Sequence, residues 1–586
     1  MKNNNEKSQK PNILKPWLKY YDQDALDRLT VPECTLTEYL KEMEPDQTVD
    51  AIDFYGNMIT WQTIYERVEI AARALKAIGC HTGDQVPVFT QSTPEFLVLL
   101  LACERIGASL VIRDNELNEN AETIKKSKSK ILFVNDNLSQ KNMKYYMSCS
   151  EVEKVIVIPL TQSCDIENIP SYVRKTMEES YSEENAHGDA VIEWDEFLEM
   201  GRQYKGEYIA EKDIDRPLFR CYTSGSTGPA KQVIHSAHSI VGALTQLNFY
   251  GRIPGMRPKW LLVSLPPCLV SVVISFMLLP LASGKLLILA PFCDPKDVDL
   301  EFMRCKPNCW PSIPMFCDIL RLGGRVPEDY DMSHLLVVGA GCEHLNNTQL
   351  FKFQEFITAH GSPARFTPGY GSSEAGSNVG FLISEHPLGN GNVGVPMPLT
   401  NVAICTPGTT EELGFNETGE ICIQSPNIML GYDDEAATAK ALRVHEDGKT
   451  WLHMGDVGYM TEDGVLYTCS RGSSQVYGGG SLDLLPMENA VADANIDGVL
   501  DQFFVNIPDT EHEGYYNPYL YVVLADGYTV DDIKDKVKGV LKKHENPMKI
   551  EALPKRPYWH FKTHRIGIVR QVLGQTDQTL YPSNMA

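Results

Sequence analysis

Between Leu218 and Lys231 the chain reads LFRCYTSGSTGPAK, in which strand-forming residues run directly into small and hydroxylated ones and a lysine closes the stretch. Gly225 and Gly228 let the backbone turn tightly and aim its N–H groups at an anion. Thr223, Ser224, Ser226 and Thr227 add hydroxyl donors, and Lys231 adds a mobile positive charge. Such a loop suits the oxygens of a polyphosphate. A Ser/Gly-rich surface loop is the plainer alternative, but it needs neither the apolar strand before it nor the lysine behind. The common P-loop is excluded, because Pro229 and Ala230 follow Gly228 where that pattern requires Lys and then Ser or Thr.

A second group lies in RFTPGYGSSEAG, residues 365–376. The face of Tyr370 can stack on a purine, Ser373 can donate to a phosphate, and Glu374 can ligate a hard cation such as Mg²⁺. Asp456 follows Gly455 after a short apolar run and is placed to accept both hydroxyls of a ribose; a surface-turn aspartate is the alternative. Gly339-Ala340-Gly341 ends an apolar run and by itself reads as a tight structural turn. The segment GEICIQSPNIMLGY, 419–432, reads as a strand and a Gly-Tyr corner with a structural part. Fifteen cysteines contain no CxxC pair, which suggests reduced thiols in a cytosolic protein. Metal ligation by Cys305, Cys309 and a distant histidine is the weaker reading of the most closely spaced pair.

The elements that must position these groups alternate. Thr60-Trp61 opens a helical pattern that stops at Gly79, and QVPVFTQSTPEFLVLLLACERIGA gives a strand, a turn at Pro94 and a helix closing at Gly107. ASLVIRD and KILFVND read as buried strands, so the pattern is a parallel α/β sheet covered by helices on both faces. Residues 1 to about 45 read as an extended lead-in with a few aromatic anchors. The acidic stretch 162–213 reads as a surface excursion with one short helix at most. His235 to Tyr250 reads as a helix whose N-terminal end faces the phosphate loop. Trp260 to Ser283 is uncharged and long enough to span a bilayer, but Pro266, Pro267 and Pro280 divide it into a core strand, a loop and a buried helix. No signal peptide is legible at the polar N-terminus, so a cytoplasmic protein with no integral membrane segment is expected. The net charge of -24 argues against nucleic acid as the main partner.

In order along the chain, the loop 223–231, Tyr370-Gly371-Ser372-Ser373-Glu374, Met454-Gly455-Asp456 and Ser470-Arg471 resemble the motifs of the adenylate-forming superfamily. That group includes acyl-CoA synthetases, adenylation domains of peptide synthetases and beetle luciferases, and the resemblance runs from about Thr60 to Leu573. It implies an α/β fold with a large N-terminal domain, 1–470, of parallel-rich sheets with flanking helices. A small mobile α+β C-terminal domain, 471–586, would follow. It also implies a two-step reaction. A carboxylic acid and ATP give acyl-AMP and pyrophosphate; the small domain then rotates and a thiol, usually coenzyme A, takes the acyl group.

Carried over by position, the resemblance implies that Thr223, Ser224, Gly225, Ser226, Thr227, Gly228 and Lys231 hold the β/γ-phosphates. Gly339, Ala340 and Gly341 would lie against the adenine on which Tyr370 stacks, beside Gly371 and Ser373. Glu374 would bind Mg²⁺, Asp456 and Arg471 the ribose, and Gly479 and Gly480 would line the thiol entry. Thr223, Glu374 and Arg471 would be catalytic.

The chain also departs from the family. Met454 stands where the family has Thr, Ser470 where it has Gly, and Ser473 at the hinge pivot, which is usually Asp or Lys. With Lys562-Thr563 and Arg570 aligned, Gly567 falls where the family carries the lysine that balances charge during adenylation. Losing that cation should weaken the first half-reaction, with Lys562, His564 or Arg565 as substitutes. Three readings stay open: an acyl-CoA synthetase or a relative acylating a carrier protein or another acceptor, a nucleotide- or acyl-adenylate-binding homologue with impaired adenylation, and a phosphotransferase.

Overall fold

A computed structural model of the chain describes residues 10–113, 117–149, 151–181, 188–223, 230–249, 256–382, 386–472, 474–559, 561–576 and 580. Local sequence sets the helices. Trp61–Ala77 starts where the Thr60 hydroxyl accepts from the Thr63 N–H, and its buried stripe of Trp61, Ile64, Tyr65, Val68, Ala72 and Leu75 repeats at three and four residues. Pro94–Ile106 is apolar nearly all round and is buried nearly all round. Thr93 caps it and Gly107 ends it in the left-handed conformation at φ 74°.

Two mainly parallel sheets form the larger part. The first runs Gly431–Tyr432, Gln232–Ser236, Pro217–Tyr222, Ser109–Ile112, Gln85–Phe89, Ile131–Asn135, Lys154–Ile158, Val191–Glu193, antiparallel only at its first two steps. The second runs Phe366–Pro368, Val337–Ala340, Cys309–Ser312, Lys259–Val263, Leu286–Ala290, Asp50–Phe54, Asn57–Thr60, and only its last hairpin is antiparallel. All five residues of Ile131–Asn135 are buried, as an interior parallel strand requires. A third, antiparallel sheet includes Tyr370–Ser372, Gly419–Gln424, Thr450–Met460 and Leu466–Arg471.

Beyond Arg471 the chain builds a smaller α+β unit. Its strand Val499–Pro508 alternates: Phe503, Val505 and Ile507 face one apolar cluster with Tyr521 and Ile568, while Phe504 faces another with Leu520, Ile533 and Val537. The α/β class expected from the sequence is therefore observed, and the 260–283 segment is the expected strand, Lys259–Val263, followed by buried helical turns through Ala282. Among the described residues no helix is long and apolar enough to cross a membrane.

Three expectations are corrected. The stretch 162–213 is part of the fold: Val191–Glu193 is a sheet edge, and both Ser171–Ser180 and Trp194–Gln203 are helices. Its acidic surface hid a buried stripe of Trp194, Phe197 and Leu198, and a Cβ at Gly201 would stand 2.2 Å from the Ile70 carbonyl, so the helix touches Trp61–Ala77. The lead-in is not extended; short helical turns from Pro11 onward bury Trp17. The third concerns His235, which belongs with Ser236 to a strand antiparallel to Pro217–Tyr222, and the helix is Ala237–Leu247. Ser236 pairs with Pro217 and Gln232 with Tyr222, so the helix N-terminus stands about 15 Å of strand away from the loop.

Candidate active site

The phosphate-loop candidate is the turn of that hairpin. Thr223 N–H donates to the Lys231 carbonyl at 2.9 Å, and Lys231 N–H donates to the Thr223 hydroxyl at 3.1 Å, closing its base. Ser224, Gly225, Ser226, Thr227 and Gly228 lie outside the described residues. The Lys231 ammonium stands 4.9 Å over the ring of Tyr432, whose hydroxyl donates to Glu374 Oε1 at 2.7 Å. One aromatic ring thus links the loop lysine to the carboxylate read from the sequence as a cation ligand. Tyr432 reaches this place because Gly431–Tyr432 extends the sheet beside Gln232–Ser236.

His235, fully buried, fixes the neighbouring segment. Its Nε2–H donates to the Ser373 carbonyl at 2.8 Å, which leaves Nδ1, 3.1 Å from the Ser239 hydroxyl, as the acceptor. Burial pushes its pKa down to about 4, so the ring is neutral. Gly371 is required where it stands, since a Cβ would lie 1.6 Å from the Ser377 carbonyl. Tyr370 donates its hydroxyl to Asp456 Oδ2 at 3.2 Å. Asp456 and Arg471 face each other across neighbouring strands, with Arg471 Nε 3.9 Å from Oδ1. Burial pushes the Asp456 carboxyl up, and Arg471 opposes that shift. The Arg471 side chain keeps 42% of its surface exposed, so its guanidinium is available to a ligand.

Thr223, Tyr370, Gly371, Asp456 and Arg471 border a cleft of about 820 Å³, the size of a nucleotide-binding cleft, whereas Lys231, Ser373 and Glu374 are not among the residues that line it. Thr223, Tyr370, Asp456 and Arg471 line one side. Trp559 and Lys562, from the hairpin of Tyr558–Trp559 and Lys562–Thr563, line the other. Burial pushes the Lys562 pKa down, while Cys342, Glu343 and Glu374 hold it up against Arg471. Arg565 is committed elsewhere: it bridges Glu343 at 3.4 Å and Glu488 at 2.9 Å and donates to the Phe504 carbonyl. At Gly567 a Cβ would fall 2.1 Å from His564 Nε2, and the His564 ring stacks on Trp559 at 5.4 Å. The place from which a lysine at 567 would depart is filled by that ring.

Gly339, Ala340 and Gly341 do not line the cleft. Gly339 pairs with Thr367, where a Cβ would stand 2.8 Å from the carbonyl, and Gly341 packs behind Gly369, which does line it. Gly479 and Gly480 form a left-handed turn, Gly480 against His544, outside the cleft lining. Ser473 lies outside the described residues. Sequence reasoning gave Tyr432 only a structural part and passed over His235, Glu343 and Arg113. Arg113 lines the cleft near Thr223 and stands over Tyr222 at 4.3 Å. Its signal was a charged residue ending the buried strand Ser109–Ile112, the strand end at which parallel sheets present ligand groups. Cys342, another lining residue, holds a left-handed φ of 75° without being glycine, the kind of strained position that marks functional walls.

The chain belongs to the AMP-binding enzyme family, whose model matches residues 41–433. It is 26% identical over 508 residues to the long-chain-fatty-acid–CoA ligase of Bacillus subtilis (strain 168), covering 85% of this chain and 87% of that one. It is 25% identical over 428 residues to 4-coumarate–CoA ligase 1 of Arabidopsis thaliana, covering 71% and 70%. The crystal structure of ATP-bound MatB from Rhodopseudomonas palustris has the same fold, with a TM-score of 0.74 at 19% identity over 92% of this chain and 99% of that one.

Proposed function

We propose that this enzyme condenses a carboxylic acid with ATP to an acyl-adenylate in the cleft and then transfers the acyl group to coenzyme A. The observation that carries this reading is the convergence of Tyr370, Asp456 and Arg471 with Lys562 around one cleft whose floor begins at Thr223. In it, Thr223, Lys231 and the loop between them bind the β/γ-phosphates, Tyr370 stacks on adenine, and Asp456 with Arg471 holds the ribose. Arg113, beside Tyr222, adds positive charge to the phosphate end. Lys562 faces the charge that develops on the α-phosphate as the carboxylate attacks.

Glu374 fits Mg²⁺. It is an oxygen donor braced at Oε1 by Tyr432, and a single carboxylate suits an ion that keeps waters and phosphate oxygens as its other ligands. When bound, the ion neutralises phosphate charge. We place the division at about 470 and 471, with the turn after Arg471 as hinge, a reading that the separate apolar clusters of the C-terminal unit support. Gly472 already holds φ 75° there. Gly479 and Gly480, outside the cleft in this state, are assigned to the thiol entry in the rotated one.

A second reading has one observation behind it, the filled site at Gly567: a protein that binds nucleotide or acyl-adenylate with little adenylation. An acid-dependent ATP–pyrophosphate exchange assay over a panel of carboxylic acids, with thioester formation followed by mass spectrometry, separates the two. Exchange with acyl-CoA formation supports the proposal. Exchange without acyl-CoA transfers the acceptor role to a carrier-protein thiol or another nucleophile. Nucleotide binding without exchange supports the second reading, and ADP as product would overturn both.

A further inference from the structure

A cluster of thiol and imidazole groups lies in the antiparallel sheet, and none of its members lines the cleft. Its placement follows from strand register. Cys405 pairs with Glu420, Ala403 with Cys422, and Cys422 with His453. Residues opposite one another, and residues two apart on a strand, share a face. Cys405, Glu420, Cys422, Trp451 and His453 therefore share one, and Ala403, Cys405, Cys422 and Trp451 pack there as a small buried cluster. His445 enters from the turn between Leu442–Val444 and Thr450–Met460, stacking on Trp451 at 5.0 Å.

The distances group the donors into two triads that share Cys422. One donor atom from each of Cys405, Cys422 and His445 lies within 4.8 Å of the others, and the same holds for Glu420, Cys422 and His453. His445 Nε2 and His453 Nε2 are 3.1 Å apart, and Cys422 Sγ is 3.3 Å from His453 Nδ1.

Tautomers give the second indication. Glu420 Oε2 accepts from His453 Nδ1–H at 3.1 Å, which leaves the His453 Nε2 lone pair facing His445 Nε2. If His445 Nε2–H fills that contact, His445 Nδ1 becomes a bare lone pair, and it is buried with no hydrogen-bond partner among the described residues. Two buried thiols and the His445 imidazole form the donor set of a soft-to-borderline cation site, and His453 with its carboxylate stands behind that imidazole as the support such sites use.

We propose that Cys405, Cys422 and His445 form a structural Zn²⁺ site, with His453 holding the His445 tautomer and Glu420 orienting His453 from behind. Binding displaces one proton from each thiol to solvent, so two thiolates balance the charge of the ion. The site ties together Asn401–Cys405, Gly419–Gln424 and Thr450–Met460, and the last of these strands carries Asp456. It braces the ribose carboxylate without touching nucleotide.

Co²⁺ titration of the full reduced chain, freed of metal, tests this optically. One equivalent per chain is expected to give the visible bands of a tetrahedral ion and a thiolate-to-cobalt charge-transfer band, both removed by Zn²⁺. Cys405→Ser with Cys422→Ser should abolish the charge-transfer band, whereas Cys309→Ser, in the parallel sheet, should leave it intact. Glu420→Ala, a milder change should the double variant not fold, should weaken Zn²⁺ binding by about 10–100-fold. The proposal is overturned by a wild-type chain that gives no tetrahedral spectrum, by a spectrum that survives in the folded double variant, or by unchanged Zn²⁺ affinity in Glu420→Ala.

Discussion

Lys562→Ala removes the cation that the C-terminal hairpin brings to the cleft. The magnitude follows from the surroundings. Lys562 shares the cleft with Arg471, and burial already pushes its pKa down, so its charge acts where water screens little. A preorganised group facing developing charge in such a site is worth about 10²–10³ in rate. Acid-dependent ATP–pyrophosphate exchange should fall by about that factor. Thioester formation from supplied acyl-AMP should change by only a few-fold, because the first step is bypassed. Gly567→Lys alone should not accelerate exchange, since its Cβ meets His564 2.1 Å away; Gly567→Lys with His564→Ala should restore part of the rate to Lys562→Ala. The pH profile carries a sign. The protonated lysine is the active form, so kcat/KM for adenylation should fall as pH rises through a value below 10.5, and Lys562→Arg should move that limb upward. Exchange unchanged in Lys562→Ala, or both half-reactions lost equally, would refute the reasoning.

Asp456→Ala should weaken ATP binding by about 1–3 kcal/mol, measured by calorimetry on the folded variant; equal affinity removes Asp456 from the nucleotide site. Glu374→Gln keeps an oxygen for the Tyr432 hydroxyl but loses the charge, so turnover should fall steeply at limiting Mg²⁺ with little change in thermal stability. His235 is held neutral in the folded chain, with a pKa of about 4 against 6.5, so protons bind the unfolded chain first. Stability from this residue is full above about pH 6.5 and is lost as pH falls to about 4, a loss of about 3 kcal/mol. Urea unfolding across that window should show a shallower decline for His235→Gln, and parallel declines would remove the assignment.

The parts of the site that were legible are those in which backbone geometry and side-chain chemistry coincide within a few residues. The Gly/Ser/Thr loop ending at Lys231 is one, and Tyr370 to Glu374, with Gly371 forced by the close approach of Ser377, is another. Illegible parts depend on pairing between distant strands. Tyr432 meets Lys231 and Glu374 only because its two-residue strand joins a sheet edge about 200 residues away in sequence, and a Gly-Tyr corner carries no sign of that. The three ligands of the proposed metal site, spread over 405–445, match no short ligand spacing and converge only through strand pairing. At His235 the error was one of period. Val233 and Ile234 continue a hairpin strand, and the capping Ser236, not His235, begins the helix.

The departure at Gly567 makes physical sense when the moving part is considered as a whole. Lys562 and Gly567 belong to the same C-terminal unit, so transferring the cation from the first turn of Arg565–Val572 to the preceding strand keeps it on the element proposed to rotate. Directional contacts among the described residues hold that unit over the cleft. Arg565 and the Thr563 N–H meet Glu343, the Tyr558 hydroxyl donates to Asp318 at 2.9 Å, and Asn346 and Asn347 bond to Gln502, Asn489 and Asp493. Such an interface is polar, as interfaces between mobile domains tend to be. Arg565 keeps Glu488, a residue of its own unit, on rotation and gives up only Glu343 to water. On the proposed mechanism, bound phosphate charge attracts Lys562 and favours the docked state, and that attraction weakens once pyrophosphate has left. In the proposed mechanism the cation that assists adenylation is thereby withdrawn with the unit when the thiol must enter, which a lysine fixed on the large domain could not achieve.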